Sequence, residues 1–174
     1  MAASRRDKVK ARLRDIESDE RGNMVYTGES LRAEDESGRI RFMIVLIVLA
    51  ACVIGSGCID AAGAAGSFYV IFPYIGEVSA LFALCWNSVK VLAGGSKVRR
   101  YVLDNASGKI PGACRILTVF AAAGLLLSGL YLAQNGMGGE PAKSIMYLVL
   151  KLGAAVLAEV CRRIYISINW ILAD

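Results

Sequence analysis

Three ionisable side chains, Glu77, Lys151 and Glu159, stand inside apolar runs, Glu159 near the end of its run. Glu77 interrupts YVIFPYIGEVSALFALCW (69–86), and Lys151 interrupts SIMYLVLKLGAAVLAEVC (144–161). A carboxylate and an ammonium in such surroundings can pair, relay a proton, or meet a charge on another subunit. Glu77 has suggestive neighbours. Pro73, four residues earlier, has no N–H to give the Tyr69 carbonyl and tends to kink a helix. Pro73, Tyr74, Glu77 and Leu81 share one helical face by 3–4 spacing. A kink, a phenol and a carboxylate could line a small polar cavity of the kind that transporters and ion pathways use. Other roles suit the same residues. The pair could be purely structural. Each group could instead snorkel to the surface alone, or a protonated Glu77 could hydrogen-bond a neighbouring helix.

Catalytic chemistry is not expected. The chain has no histidine, so the commonest general base is missing. It contains no G-x-S-x-G, Walker, HExxH or DxD pattern. Asp60, Glu77, Glu140 and Glu159 fall at very different depths and form no plausible cluster. No cofactor and no metal site are expected. The five cysteines show no CxxC spacing, and their odd number argues against a disulfide framework. Cys85, Cys114 and Cys161 fall toward one end of the runs and read as small apolar fillers. Cys114 and Cys161, beside basic residues, could alternatively carry palmitate.

The elements that must position Glu77 and Lys151 are membrane spans. The 174 residues are 56% hydrophobic, with mean hydropathy +0.51, and the apolar residues lie in long runs. Four spans are expected, at about 42–59, 68–92, 116–134 and 144–166. Each is long enough to cross ~30 Å of hydrocarbon as a helix. The fold class is therefore all-α: an up-down four-transmembrane-helix bundle, residues 42–174, preceded by a polar arm and linker, residues 1–41. From the polar start, no cleaved signal peptide is expected, and the first apolar run is expected to act as an uncleaved span. Residues 94–115, with Pro111 and several glycines, read as a polar loop. Gly124 with Ser128, Ala51 with Gly55, and Ala154 with Ala158 are small-xxx-small pairs that mark close helix contacts.

Charge sets the orientation. Arg39, Arg41, Lys97, Arg99, Arg100, Lys109, Arg115, Arg162 and Arg163 flank one end of the spans, while the loops at the other end carry only Lys143 with Asp60 and Glu140. The positive-inside rule puts both termini and the middle loop in the cytoplasm. Such a bias also argues against a dual-topology multidrug exporter. Spans two and four then run in parallel. Glu77 lies roughly 13 Å and Lys151 roughly 10 Å from the outer edge at 1.5 Å per residue, close enough in depth for an ion pair. Burial of either alone would cost a few kcal/mol.

The arm SRRDKVKARLRDIESDERG (4–22) carries Val9, Leu13 and Ile16 on one helical stripe, surrounded by bases. Arg5, Arg6, Lys8 and Arg12 could touch anionic lipid or a cytosolic partner, or the arm could simply be solvated. Residues 24–41 read as a linker. Glu159 and Arg163 suit an ordinary i,i+4 pair. Residues 162–174 read as a continuation of the fourth helix, with Trp86 and Trp170 at interfaces.

Between YTGES (26–30) and FPY (72–74), over roughly its first 110 residues, the chain resembles small four-span integral membrane proteins of Gram-positive bacteria. That resemblance implies a bacterial inner (plasma) membrane and transfers no activity and no functional residue. The expected function is that of a non-enzymatic accessory subunit or scaffold of a membrane complex. The alternative is a small transporter or channel component using Glu77 and Lys151. Expected partners are the lipid bilayer and another membrane or cytosolic protein, or a second copy of the chain; no nucleic acid is expected.

Overall fold

Asp35 starts the first long helix. Its carboxylate accepts hydrogen bonds from the Ser37 N–H at 2.9 Å and the Ser37 hydroxyl at 2.7 Å. The first of these satisfies a donor that the opening turn of a helix leaves free. Both contacts favour the ionised form, so the Asp35 carboxyl is held below its ordinary value. Helix α1 therefore spans Glu36–Gly57 and begins well ahead of the expected edge at residue 42. Helix α2 spans Phe68–Leu92, the bounds expected. Short α3, Arg100–Ser107, and long α4, Lys109–Asn135, follow. Helix α5 spans Pro141–Ser167.

The computed structural model describes residues 16–18, 24–26, 30–61, 63, 66–95, 97–136 and 141–173. Arg5, Arg6, Lys8 and Arg12 lie outside the described residues. Among the described residues the chain is mostly helical, and four helices are long and apolar enough to cross a membrane.

Four readings of the polar and terminal segments need correction. The middle segment is not a plain loop: it holds β4 (Val98–Arg99), α3 and the first turns of α4. Pro111 falls in the opening turn of α4, where a missing N–H costs no helical hydrogen bond. Residues 24–41 contain strands β2 (Met24–Tyr26) and β3 (Ser30–Ala33) as well as the start of α1. The last helix stops at Ser167, and Trp170–Leu172 form strand β5. Ile16 is also not helical: β1, Ile16–Ser18, pairs antiparallel with β2.

Strand β3 lies between β4 and β5, antiparallel to both, with Leu31 opposite Val98 on one side and Leu172 on the other. This small sheet joins the approach to α1, the connection after α2 and the exit from α5. Those three points therefore share one end of the bundle, the end that holds Arg39, Arg41, Lys97, Arg99, Arg100, Lys109, Arg115, Arg162 and Arg163. Arg39 reaches from α1 to donate to the carbonyls of Leu92 and Gly95. It caps the C-terminus of α2, where positive charge and donors are both favoured.

Helix α4 packs between α2 and α5, and α1 packs on α5; the α1–α2 seam is the thinnest of the four. Helices α2 and α5 thus stand on a diagonal. Buried positions recur every three or four residues: Leu46, Leu49 and Val53 on α1; Leu81, Leu84 and Ser88 on α2; Leu117, Ala121 and Gly124 on α4; Lys151, Ala154 and Ala158 on α5. Gly124, Ser128, Ala154 and Ala158 face this interior, whereas Ala51 faces outward, so the Ala51–Gly55 pair does not mark a close contact along its length. The outer faces are the more apolar surface. Ile47, Phe82, Val119, Leu126 and Val149 all project outward, the inverse of a helix bundle built for water.

Candidate functional site

An ion pair crosses the diagonal between α2 and α5. Lys151 Nζ donates to Glu77 Oε1 at 2.7 Å, and both side chains are fully buried. Neither snorkels. Pairing relieves the burial penalty that each charge would carry alone. The ammonium also lies over two aromatic faces, with Nζ 4.8 Å from the Tyr74 ring centre and 5.6 Å from that of Tyr147. Ring quadrupoles attract a cation at such distances, and more strongly where water is excluded.

The neighbouring helices are cut to fit this pair. A Cβ added at Gly124 of α4 would stand 2.8 Å from Glu77 Oε1 and 3.5 Å from both Lys151 Nζ and Pro73 Cβ. Only glycine leaves the crossing open at that point. A turn further along α4, Ser128 Oγ and the Tyr147 hydroxyl lie 3.1 Å apart and share a hydrogen bond. That bond fixes the Tyr147 ring against the ammonium. Tyr74 reaches the other way, toward α1. A side chain at Gly57 would collide with the Tyr74 hydroxyl, so Gly57 makes room for the phenol at the thin α1–α2 seam.

Pro73, Tyr74, Glu77 and Lys151 are therefore brought together. Pro73 is fully buried inside α2 and packs toward Gly124. The residues that the sequence did not single out for this site are Gly124, Ser128, Tyr147 and Gly57. A signal existed for Tyr147, which lies one turn before Lys151 on the same helical face. Glu77 Oε2 is buried and has no hydrogen-bond partner among the described residues. Half of the carboxylate is thus satisfied by the ammonium and half is not, which is uncommon for a buried charge.

Toward the sheet end the interior changes character. Leu46, Leu49, Leu84, Leu117, Ala154 and Ala158 fill the layers beyond the pair. Past them lie Cys114 and Cys161, both buried and both free thiols. No group of three or more metal-ligating side chains that could hold an ion occurs among the described residues. Glu159 makes its expected contact with Arg163 at 3.0 Å, and also binds Arg162 through two bonds of 2.6 and 2.8 Å.

Compared with protein-family models, curated proteins and solved structures, the chain matches none.

Proposed function

We propose that the chain is a non-enzymatic integral membrane protein that serves as an accessory subunit or scaffold of a membrane complex. In this reading it sits in a bacterial inner (plasma) membrane with both termini and the sheet in the cytoplasm. The gathering of lysines and arginines at the sheet end supports that orientation. The bacterial location is part of the proposal and follows from the resemblance expected from the sequence alone. The observation that carries the functional reading is the closure of the Glu77–Lys151 pair: fully buried, bonded at 2.7 Å and wedged against Gly124. A charge pair held this way braces two diagonal helices and so fixes the surfaces that the bundle offers to a partner.

A second reading, a small transporter or channel component, is favoured by two observations. Glu77 Oε2 is a buried acceptor without a hydrogen-bond partner among the described residues, and the thin α1–α2 seam lies next to Tyr74. Glu77→Gln separates the two. The accessory reading predicts that wild-type protein in liposomes moves neither protons nor a broad solute panel, while E77Q weakens recovery of the native complex from gently solubilised membranes. A flux present in the wild type and lost in E77Q, with the complex intact, supports the transporter reading instead.

A further inference from the structure

A recess of about 360 Å³ opens between the last turns of α2 and the short helix α3, lined by Asn87, Lys90, Tyr101, Val102, Asn105 and Ala106. Its volume lies in the ~300–1,000 Å³ range of small-molecule sites. We propose that it holds the phosphate-bearing headgroup of an anionic phospholipid from the leaflet at the sheet end. The inference rests on the membrane reading above and goes beyond it by naming a ligand and a place.

Three features fit that occupant. The first is depth. Trp86 projects outward from α2, one turn before Lys90. An indole on an outward face at the end of a span belongs at the headgroup level. The second is charge. Lys90 Nζ lies 4.8 Å from the centre of the Trp86 ring, which positions the ammonium at the recess while leaving its N–H donors to a phosphate. Residues 86–115 carry Lys90, Lys97, Arg99, Arg100, Lys109 and Arg115 against the single acid Asp104, so the surrounding field favours an anion. The third is the lining. Asn87 and Asn105 carry amide donors, although one Asn87 N–H is held by the Ala83 carbonyl at 2.7 Å. Val102 and Ala106 give an apolar side suited to the glycerol and the start of the acyl chains.

Native mass spectrometry of the full chain in detergent, delipidated and titrated with lipid, tests the assignment. Phosphatidylglycerol should be retained in preference to phosphatidylcholine. Lys90→Gln should weaken phosphatidylglycerol retention about fivefold, the effect of one lysine near an anionic lipid surface. Lys90→Arg should restore most of it, and Lys143→Gln, the same charge change at the other end, should leave it unchanged. Equal retention of the two lipids, or equal losses in K90Q and K143Q, would overturn the proposal. So would displacement of bound phosphatidylglycerol by millimolar inorganic phosphate, which would assign the recess to free phosphate. Failure of the membrane reading would appear separately, as recovery of the chain from cells without detergent.

Discussion

Two sets of carboxylate–cation contacts among the described residues, one buried and one local, look alike on paper and differ in almost every physical respect. Glu77 and Lys151 are 74 residues apart, lie on diagonal helices and are fully buried. Glu159, Arg162 and Arg163 share one turn of α5 near the basic end and are partly open to their surroundings. The local cluster forms whenever α5 is helical, since spacing alone brings its members together. The diagonal pair forms only when α2, α4 and α5 are all in place, with Gly124 between them. The first contact therefore reports a helix, and the second reports a tertiary structure. The difference teaches where charge does architectural work: in the low-dielectric interior, an unpaired partner has nowhere to go.

Breaking the buried pair should give the largest effect. Glu77→Gln or Lys151→Met leaves one charge without its partner and should destabilise the bundle by about 3–5 kcal/mol. Denaturant titration in mixed micelles would measure it. Next comes Gly124→Ala. Its methyl would press on Glu77 Oε1, and overpacking of this kind costs roughly 1–3 kcal/mol. If G124A were as stable as the wild type, the close fit around the pair would be of no consequence. The local cluster marks the other limit. Glu159→Gln should leave the unfolding midpoint within error, because partly exposed pairs contribute little and are screened by salt. A loss comparable to that of E77Q would erase the contrast.

The smallest expected effect is a pH dependence at the start of α1. The Asp35 carboxyl is lowered from an ordinary value of 3.8 by its bonds to Ser37. A depressed carboxyl contributes stability that is present above the unfolded value and is lost as pH falls through the folded one. The amides of the first turn, beginning with Ser37, should lose hydrogen-exchange protection as the pH drops below about 3.8. Asp35→Ala should remove that acid-induced step. Protection that did not change with acid would show that the cap contributes nothing through its charge.

How much of this was legible in the sequence depended on range. The apolar run of α2 was readable to the residue, because Ser67 and the glycines after Leu92 bound it on both sides. Glu77 and Lys151 stood out because ionisable groups are rare in such runs, and helical rise alone placed them at similar depth. The strands were not legible. Each of β3, β4 and β5 is four residues or fewer and owes its form to partners more than 60 residues away. The same holds for Arg39. Its charge was readable as an orientation signal, but its bond to Leu92, 53 residues on, was not. The spacing of Gly124 and Ser128 marks a helix contact, yet what Gly124 accommodates is a carboxylate from α2. Spacing reveals a face; it does not reveal what meets that face.

A double-mutant cycle on Glu77 and Lys151 measures whether the buried pair braces the bundle as a unit. E77Q, K151M and the E77Q/K151M double variant would be unfolded in the same mixed micelles. Strong coupling is expected, with the double variant more stable than either single variant, because it leaves no buried charge unpaired. Additive losses in the double variant would contradict this expectation, and would mean that the two residues stabilise the bundle independently.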